Sequence, residues 1–170
     1  RRMNVDSSGE SAKAFAMTGW RIGYIGAPEF IAKACTKMQG QVTSGANSIA
    51  QRATKAAVEA NPSQIKYMVD AFHKRRDLVF GLMQEIPGFK LNNPDGAFYV
   101  FPDVSDYFGK TLRGTEIKDA TDFAMYLLAE ANVATVTGDA FGSPNCLRLS
   151  YATSEEQLIE AIKRIKDAVS

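Results

Sequence analysis

Residues 13–28, KAFAMTGWRIGYIGAP, set two cations, Lys13 and Arg21, in an otherwise apolar run punctuated by Gly19, Gly23 and Gly26. A lysine in apolar surroundings beside a second cation has its pKa lowered by desolvation and by like charge. That is what an amine nucleophile for a carbonyl carbon requires. An arginine fork grips a phosphate with two hydrogen bonds. A lysine for an aldehyde and an arginine for a phosphate, a few residues apart, make a workable pyridoxal phosphate anchor. By spacing alone the plainer alternative takes precedence: two solvated cations beside a strand. Within the run, Ile22–Gly26 reads as a short buried strand whose glycines admit close approach to the backbone.

C-terminal to this run the sequence predicts two helices. The first spans about Pro28 to Gln39, with proline in its first turn. The second spans about Asn47 to Ala60, after the loop Val42-Thr43-Ser44-Gly45-Ala46 and before the breaker Asn61-Pro62-Ser63. One strand and two helices cannot close a domain, so this part is expected to be the end of something larger and to expose apolar surface. A long helix follows, with Ile65, Met68, Val69, Phe72, Val79, Leu82, Met83 and Ile86 at helical spacing, stopped by Pro87-Gly88.

Beyond it the period changes to two. Phe89–Leu91, Ala97–Phe101, Val133–Val136 and Cys146–Tyr151 are strand candidates, with a turn at Asn92-Asn93-Pro94-Asp95-Gly96. Residues 103–114 read as a polar loop. A helix follows with Ile117, Ala120, Ala124, Leu127, Leu128 and Ala131 on one face. The last helix opens on the capping pattern Thr153-Ser154-Glu155-Glu156 and carries Leu158, Ile162, Ile165 and Val169. The alternation gives an α+β class, a small mainly antiparallel sheet packed on helices. Three segments are expected: 1–12, a polar leader or linker; 13–65, the end of something larger; and 66–170, a small domain with room for its own core.

Composition excludes several classes. With 45% hydrophobic residues the chain is neither disordered nor collagen-like, and a formal net charge of +1 provides no broad attraction to nucleic acid or anionic membrane. No apolar run reaches membrane-spanning length. Cys35 and Cys146 stand far apart without a CxxC pattern, and His73 is the single histidine, so no metal site is expected and a reducing cytoplasm fits. His73 reads as a surface or interface residue and Lys74-Arg75-Arg76 as a solvated face. Asp139, in a Gly-Asp-Ala-Phe-Gly loop, reads as a turn former without a catalytic role.

The segment SAKAFAMTGWRIGYIGAP resembles the cofactor-lysine segment of class I aminotransferases, the fold-type I pyridoxal phosphate enzymes, and most of all the bacterial and plant-plastid aspartate aminotransferases. The likeness continues through Ser44–Gln51, Pro94–Tyr99, Gly138–Gly142 and Leu147–Ala152, in family order. It implies that Lys13 forms the Schiff base with the cofactor and acts as catalytic base and acid, and that Arg21 holds the cofactor phosphate. It implies that Arg148 pairs with the α-carboxylate of the substrate, a role suited to a bidentate fork that orients the Cα–H bond. Phe98 by resemblance borders the substrate, with an ordinary core aromatic as the alternative. Thr43 and Ser44 by resemblance lie near the phosphate of a neighbouring subunit, with capping of the following helix as the alternative.

The resemblance also implies transamination between an amino acid, aspartate first, and a 2-oxo acid, 2-oxoglutarate first, in a cytoplasmic homodimer. An aromatic, prephenate or alanine aminotransferase, or a non-catalytic folded module, are the alternatives. Family members are about twice as long, and the groups that hold the pyridine ring and read a distal carboxylate lie ahead of the lysine. The 170 residues alone are therefore expected to be inactive. Glu10 departs from the family's glycine, and an anion there opposes a phosphate, which supports reading residues 1–11 as tag or linker. Thr137 stands where proline is common.

Overall fold

The computed structural model describes residues 14–170; Lys13 and the segment before it lie outside the described residues. The chain divides into two compact units, Arg1–Lys66 and Tyr67–Ser170. It is a mixed fold of helices and antiparallel strands.

In the first unit, α1 spans Glu29–Val42 and α2 spans Ser48–Glu59. Pro28 is the cap residue before α1 rather than its first turn. Asn47 caps α2: its side-chain oxygen accepts from the Ile49 and Ala50 amides at 2.9 and 3.1 Å, satisfying two donors that a helix start leaves open. The expected strand Ile22–Gly26 is not formed. Tyr24 makes a single bridge position, and Tyr24 and Ile25 are exposed. A strand needs a ladder of partners, and the described residues of this unit contain no strand to supply one. Phe30, Met38, Val42, Ile49 and Val58 are all more than half exposed. Apolar surface is therefore open, as the short run of elements leads one to expect.

The second unit is built on α3 (Lys66–Gln84), α4 (Ala120–Ala131) and α5 (Glu155–Val169). The strands are β1 (Tyr99–Val100), β2 (Lys110–Leu112), β3 (Thr115–Ile117), β4 (Val136–Thr137) and β5 (Leu147–Ser150). β5 is the centre of an antiparallel three-stranded sheet of order β1-β5-β4. Tyr99 faces Ser150 and Val136 faces Arg148 in its register. Phe89–Leu91 contributes only a bridge from Lys90 to Asp103.

The end of the polar stretch expected as a loop enters a hairpin, after the 3₁₀ turn Ser105–Tyr107. β2 and β3 pair through a two-residue connection, Arg113-Gly114, both with positive φ (47° and 88°). That geometry matches the twist of the strands, and glycine takes the second position without strain. Ile117, expected on the face of α4, closes this hairpin and is fully buried.

The core is one cluster. Met83, Ile117, Phe123, Leu127, Leu147 and Ile165 are fully buried, and α4 packs on α5, β3 and β4. Burying side chains of this size contributes roughly 1.5–3 kcal/mol each before entropy is counted. Tyr107 stacks on Phe123, with ring centroids 4.6 Å apart. α5 buries Leu158, Ile162, Ile165 and Ala168, and Ser154 caps it. Two stripes differ from expectation. α3 buries Val79 and Met83 and packs Phe72 against the core, but leaves Val69 exposed, so its apolar face is used from Phe72 onward. α4 turns Leu128 outward and buries Phe123 and Tyr126, since the sheet and α5 cover a wider arc than one stripe.

Candidate active site

Arg21 follows a single 3₁₀ turn, Thr18–Trp20, and takes the left-handed conformation (φ 48°, ψ 53°). For a side-chain-bearing residue that conformation is costly and worth a functional question. One guanidinium N–H donates to the Thr18 carbonyl at 3.1 Å, and the group is exposed. It borders an open groove of about 980 Å³ whose wall also carries Thr43, Ser44, Gly45 and Asn47. The described residues lining this groove include no acidic side chain. A guanidinium, the hydroxyls of Tyr24, Thr36, Thr43 and Ser44 and no carboxylate form a donor set suited to an anion.

Thr43 and Ser44 do not cap α2, because Asn47 does. Thr43 ends α1, and its hydroxyl is paired with the Gln39 side chain. Ser44 is left-handed at φ 62° and Gly45 lies at φ 151°, so the loop turns sharply just before the helix start.

Arg148 lies on β5 in the second unit, half-buried. Its guanidinium carbon sits 4.5 Å from the Tyr99 ring centroid and 4.4 Å from that of Phe141. Among the described residues no acidic side chain forms an ion pair with it. Phe98 is half-buried, 4.4 Å from Tyr99 and 6.2 Å from Phe72, packed against the core. That position satisfies the core-aromatic reading and leaves part of the ring accessible. Nothing in the sequence pattern singles out Tyr99 or Phe141.

His73 and Lys74 are exposed, and Lys74 pairs with Glu155 at 2.9 Å. Arg75 and Arg76 are half-buried rather than solvated. Arg75 lies over the Phe72 ring at 5.6 Å, and Arg76 pairs with Asp77 at 2.7 Å. Long cationic side chains lay their stems on apolar surface in this way. Asp139 opens the 3₁₀ turn Asp139–Phe141, where its carbonyl accepts from Gly142 at 3.0 Å. Burial, and then the Asp103 carboxylate, push the Cys146 thiol up, so it is a poor nucleophile. Among the described residues no three His, Cys, Asp or Glu side chains gather as metal ligands, and no helix is long and apolar enough to cross a membrane.

The family model for aminotransferase class I and II matches residues 8–165. The chain belongs to that family. A bifunctional aspartate aminotransferase and glutamate/aspartate-prephenate aminotransferase of Petunia hybrida is 46% identical over 162 residues, which are 93% of this chain and 34% of the relative. The crystal structure of the aspartate aminotransferase from Rhizobium meliloti matches with a TM-score of 0.89 at 43% identity, covering 96% of this chain and 41% of that one. An aromatic aminotransferase from Pyrococcus horikoshii OT3 matches with a TM-score of 0.79 at 34% identity, covering 92% and 40%. The chain thus spans about a third of the length of the curated relatives it matches. The fold described above is that of the corresponding part of the aspartate aminotransferase structures. A class I aminotransferase implies pyridoxal phosphate, and the acid-free groove at Arg21 is compatible with its phosphate.

Proposed function

We propose that this chain carries the lysine, phosphate and α-carboxylate functions of an aspartate-type aminotransferase. The observation that carries the reading is Arg148, a half-buried guanidinium without an acidic partner among the described residues, on the central strand of a chain that belongs to this family. Arg21 would hold the phosphate of pyridoxal phosphate from the groove it shares with Thr43 and Ser44. Bound there, the cofactor supplies an electron sink for the substrate's Cα carbanion. Lys13 would hold the cofactor and, with its amine free, take the proton from the substrate Cα as base and return it as acid. Arg148 would fix the α-carboxylate in the plane of its fork and so direct the Cα–H bond. Phe98 would border the substrate.

Aspartate and 2-oxoglutarate are the substrates proposed first, since relatives at 42–46% identity are named aspartate aminotransferases. Prephenate as amino acceptor is a second reading, supported by the relatives named for both activities. The two segments 13–65 and 66–170 are read as the tail of the cofactor domain and the small domain. A homodimer would cover part of the apolar surface of the first unit, and the free, exposed Cys35 fits a cytoplasmic setting.

The test is a graft. Residues 13–170 replace the matching two-fifths of the Rhizobium meliloti enzyme, and oxaloacetate is followed with aspartate and 2-oxoglutarate. Turnover is expected in the graft, none in its Lys13→Ala form, and none in the 170-residue chain alone with added pyridoxal phosphate. A folded graft that binds the cofactor but gives no turnover with any amino donor overturns the reading; robust turnover by the chain alone overturns its inactivity. Faster turnover with prephenate than with 2-oxoglutarate selects the second reading.

A further inference from the structure

We propose that Tyr99 and Phe141 are positioning residues that hold the Arg148 guanidinium flat, so that only its N–H edge is offered to a carboxylate. The proposal rests on the reading of Arg148 as a carboxylate binder and adds to it how the fork is kept ready. Three observations carry it. Both ring centroids lie within 4.5 Å of the guanidinium carbon, closer than an ordinary cation–π contact requires. The rings arrive from the two opposite neighbours of the central strand. Tyr99 is on β1, where it faces Ser150 and so lies diagonal to Arg148 on one face of the sheet, and Phe141 follows β4. Finally, among the described residues no carboxylate pairs with Arg148, so its in-plane donors are not spent on the fold.

The physical effect follows from the shape of the group. A guanidinium is weakly hydrated on its faces and hydrogen-bonds through its edge. Rings this close, seated on its faces, would displace water that contributes little and would leave the edge open for a bidentate carboxylate. They also restrict a side chain that otherwise loses rotamer freedom on binding, which is preorganisation. Phe141 is itself braced, edge-on to Phe101 with centroids 6.1 Å apart, and Tyr99 is braced by Phe98.

The experiment uses the 170-residue chain, labelled with ¹⁵N and titrated with aspartate. The Arg148 Nε–Hε resonance is identified by its loss in Arg148→Lys. A saturable shift is expected. Phe141→Leu and Tyr99→Leu should each weaken binding by about 2- to 10-fold, the cost of ordering one long side chain at binding. Phe141→Tyr and Tyr99→Phe, which keep a ring, should stay near the unaltered chain. Leucine variants with an intact amide spectrum and unchanged affinity overturn the positioning role while leaving Arg148 as a carboxylate binder. No saturable shift in the unaltered chain overturns both. Should the leucine variants lose their fold, side-chain relaxation of the unaltered chain decides. Arg148 Nε must be more rigid than that of the exposed Arg52, and equal mobility overturns the proposal.

Discussion

Replacing Gly138 by alanine should break the loop that carries Phe141. Gly138 has an ordinary negative φ (−77°), so space and not conformation reserves the position for glycine. A Cβ built there would lie 2.0 Å from the Ser143 carbonyl oxygen, 2.9 Å from that of Cys146 and 3.1 Å from the Cys146 Cβ. The first two obstacles are backbone, which cannot rotate aside. The loop is held by Gly138 N–H to Cys146 at 2.8 Å and by the Phe141 and Ser143 N–H groups to Gly138 at 2.9 and 3.1 Å. Making room means giving up two or three of these bonds, each worth about 0.5–1.5 kcal/mol net, together with local overpacking. The expected loss is about 2–4 kcal/mol, or roughly 1–3 M in urea midpoint at an ordinary slope. The assay is urea unfolding followed by near-UV circular dichroism, since five of the six tyrosines lie in Tyr67–Ser170. Gly81→Ala is the contrast: nothing lies within 4 Å of its Cβ on α3, and it should gain about 0.5–1 kcal/mol. A Gly138→Ala midpoint equal to that of the unaltered chain would refute the steric reasoning.

Further outcomes follow from the second unit. Asp119→Ala should cost about 0.5–2 kcal/mol in the same urea titration, because its carboxylate accepts from the Thr121 and Asp122 amides at 2.8 and 2.9 Å and caps α4. Burial, and then the Asp106 carboxylate, push the Tyr107 hydroxyl up to about 12 from its ordinary 10, and the hydroxyl donates to the Pro87 carbonyl. The folded state therefore keeps this proton longer than the unfolded one. Its contribution is complete below about pH 10 and is lost as pH rises toward 12, a loss that should be smaller in Tyr107→Phe. Tyrosinate absorbance against pH is the check. Asp103 has the opposite sign: hydrogen bonds from Ser105 hold its carboxyl below the usual range. That stability is present above the ordinary carboxylate range and is lost as pH falls through the lowered value, and Asp103→Ala should flatten the acid limb of an unfolding-midpoint profile.

Much of the second unit was legible before its structure because its signals are local. The run Ser154–Val169 carries its cap and its apolar face within one helix: Ser154 caps it and Leu158, Ile162 and Ile165 are buried as read, with Val169 half-buried. Elements that depend on a partner were harder. Ile22–Gly26 has strand composition, but an apolar run becomes a strand only where another strand pairs with it. The β2–β3 hairpin was hidden for a different reason: Lys110–Leu112 and Thr115–Ile117 are polar strands, and arginine is an unusual first residue for their turn. Arg148 was found through resemblance, since one arginine on an alternating strand announces nothing. Tyr99 and Phe141 had no signal of their own. They meet Arg148 only because β5 lies between β1 and β4, a non-local arrangement that periodicity does not encode.

That strand order also has a bearing on how the chain is made. β1 and β4 leave the ribosome before β5, yet among the described residues each pairs only with β5. The three-stranded sheet therefore cannot close until Leu147–Ser150 has emerged, and the β1–β5 pairing, of Tyr99 with Ser150, is a contact of long sequence separation that forms slowly. Until then the edges of Tyr99–Val100 and Val136–Thr137 stand open while the helix faces made earlier wait for their cover. The last third of the second unit is thus the keystone of its assembly, and a chain halted before Leu147 would present a chaperone with unpaired strands rather than a smaller folded domain.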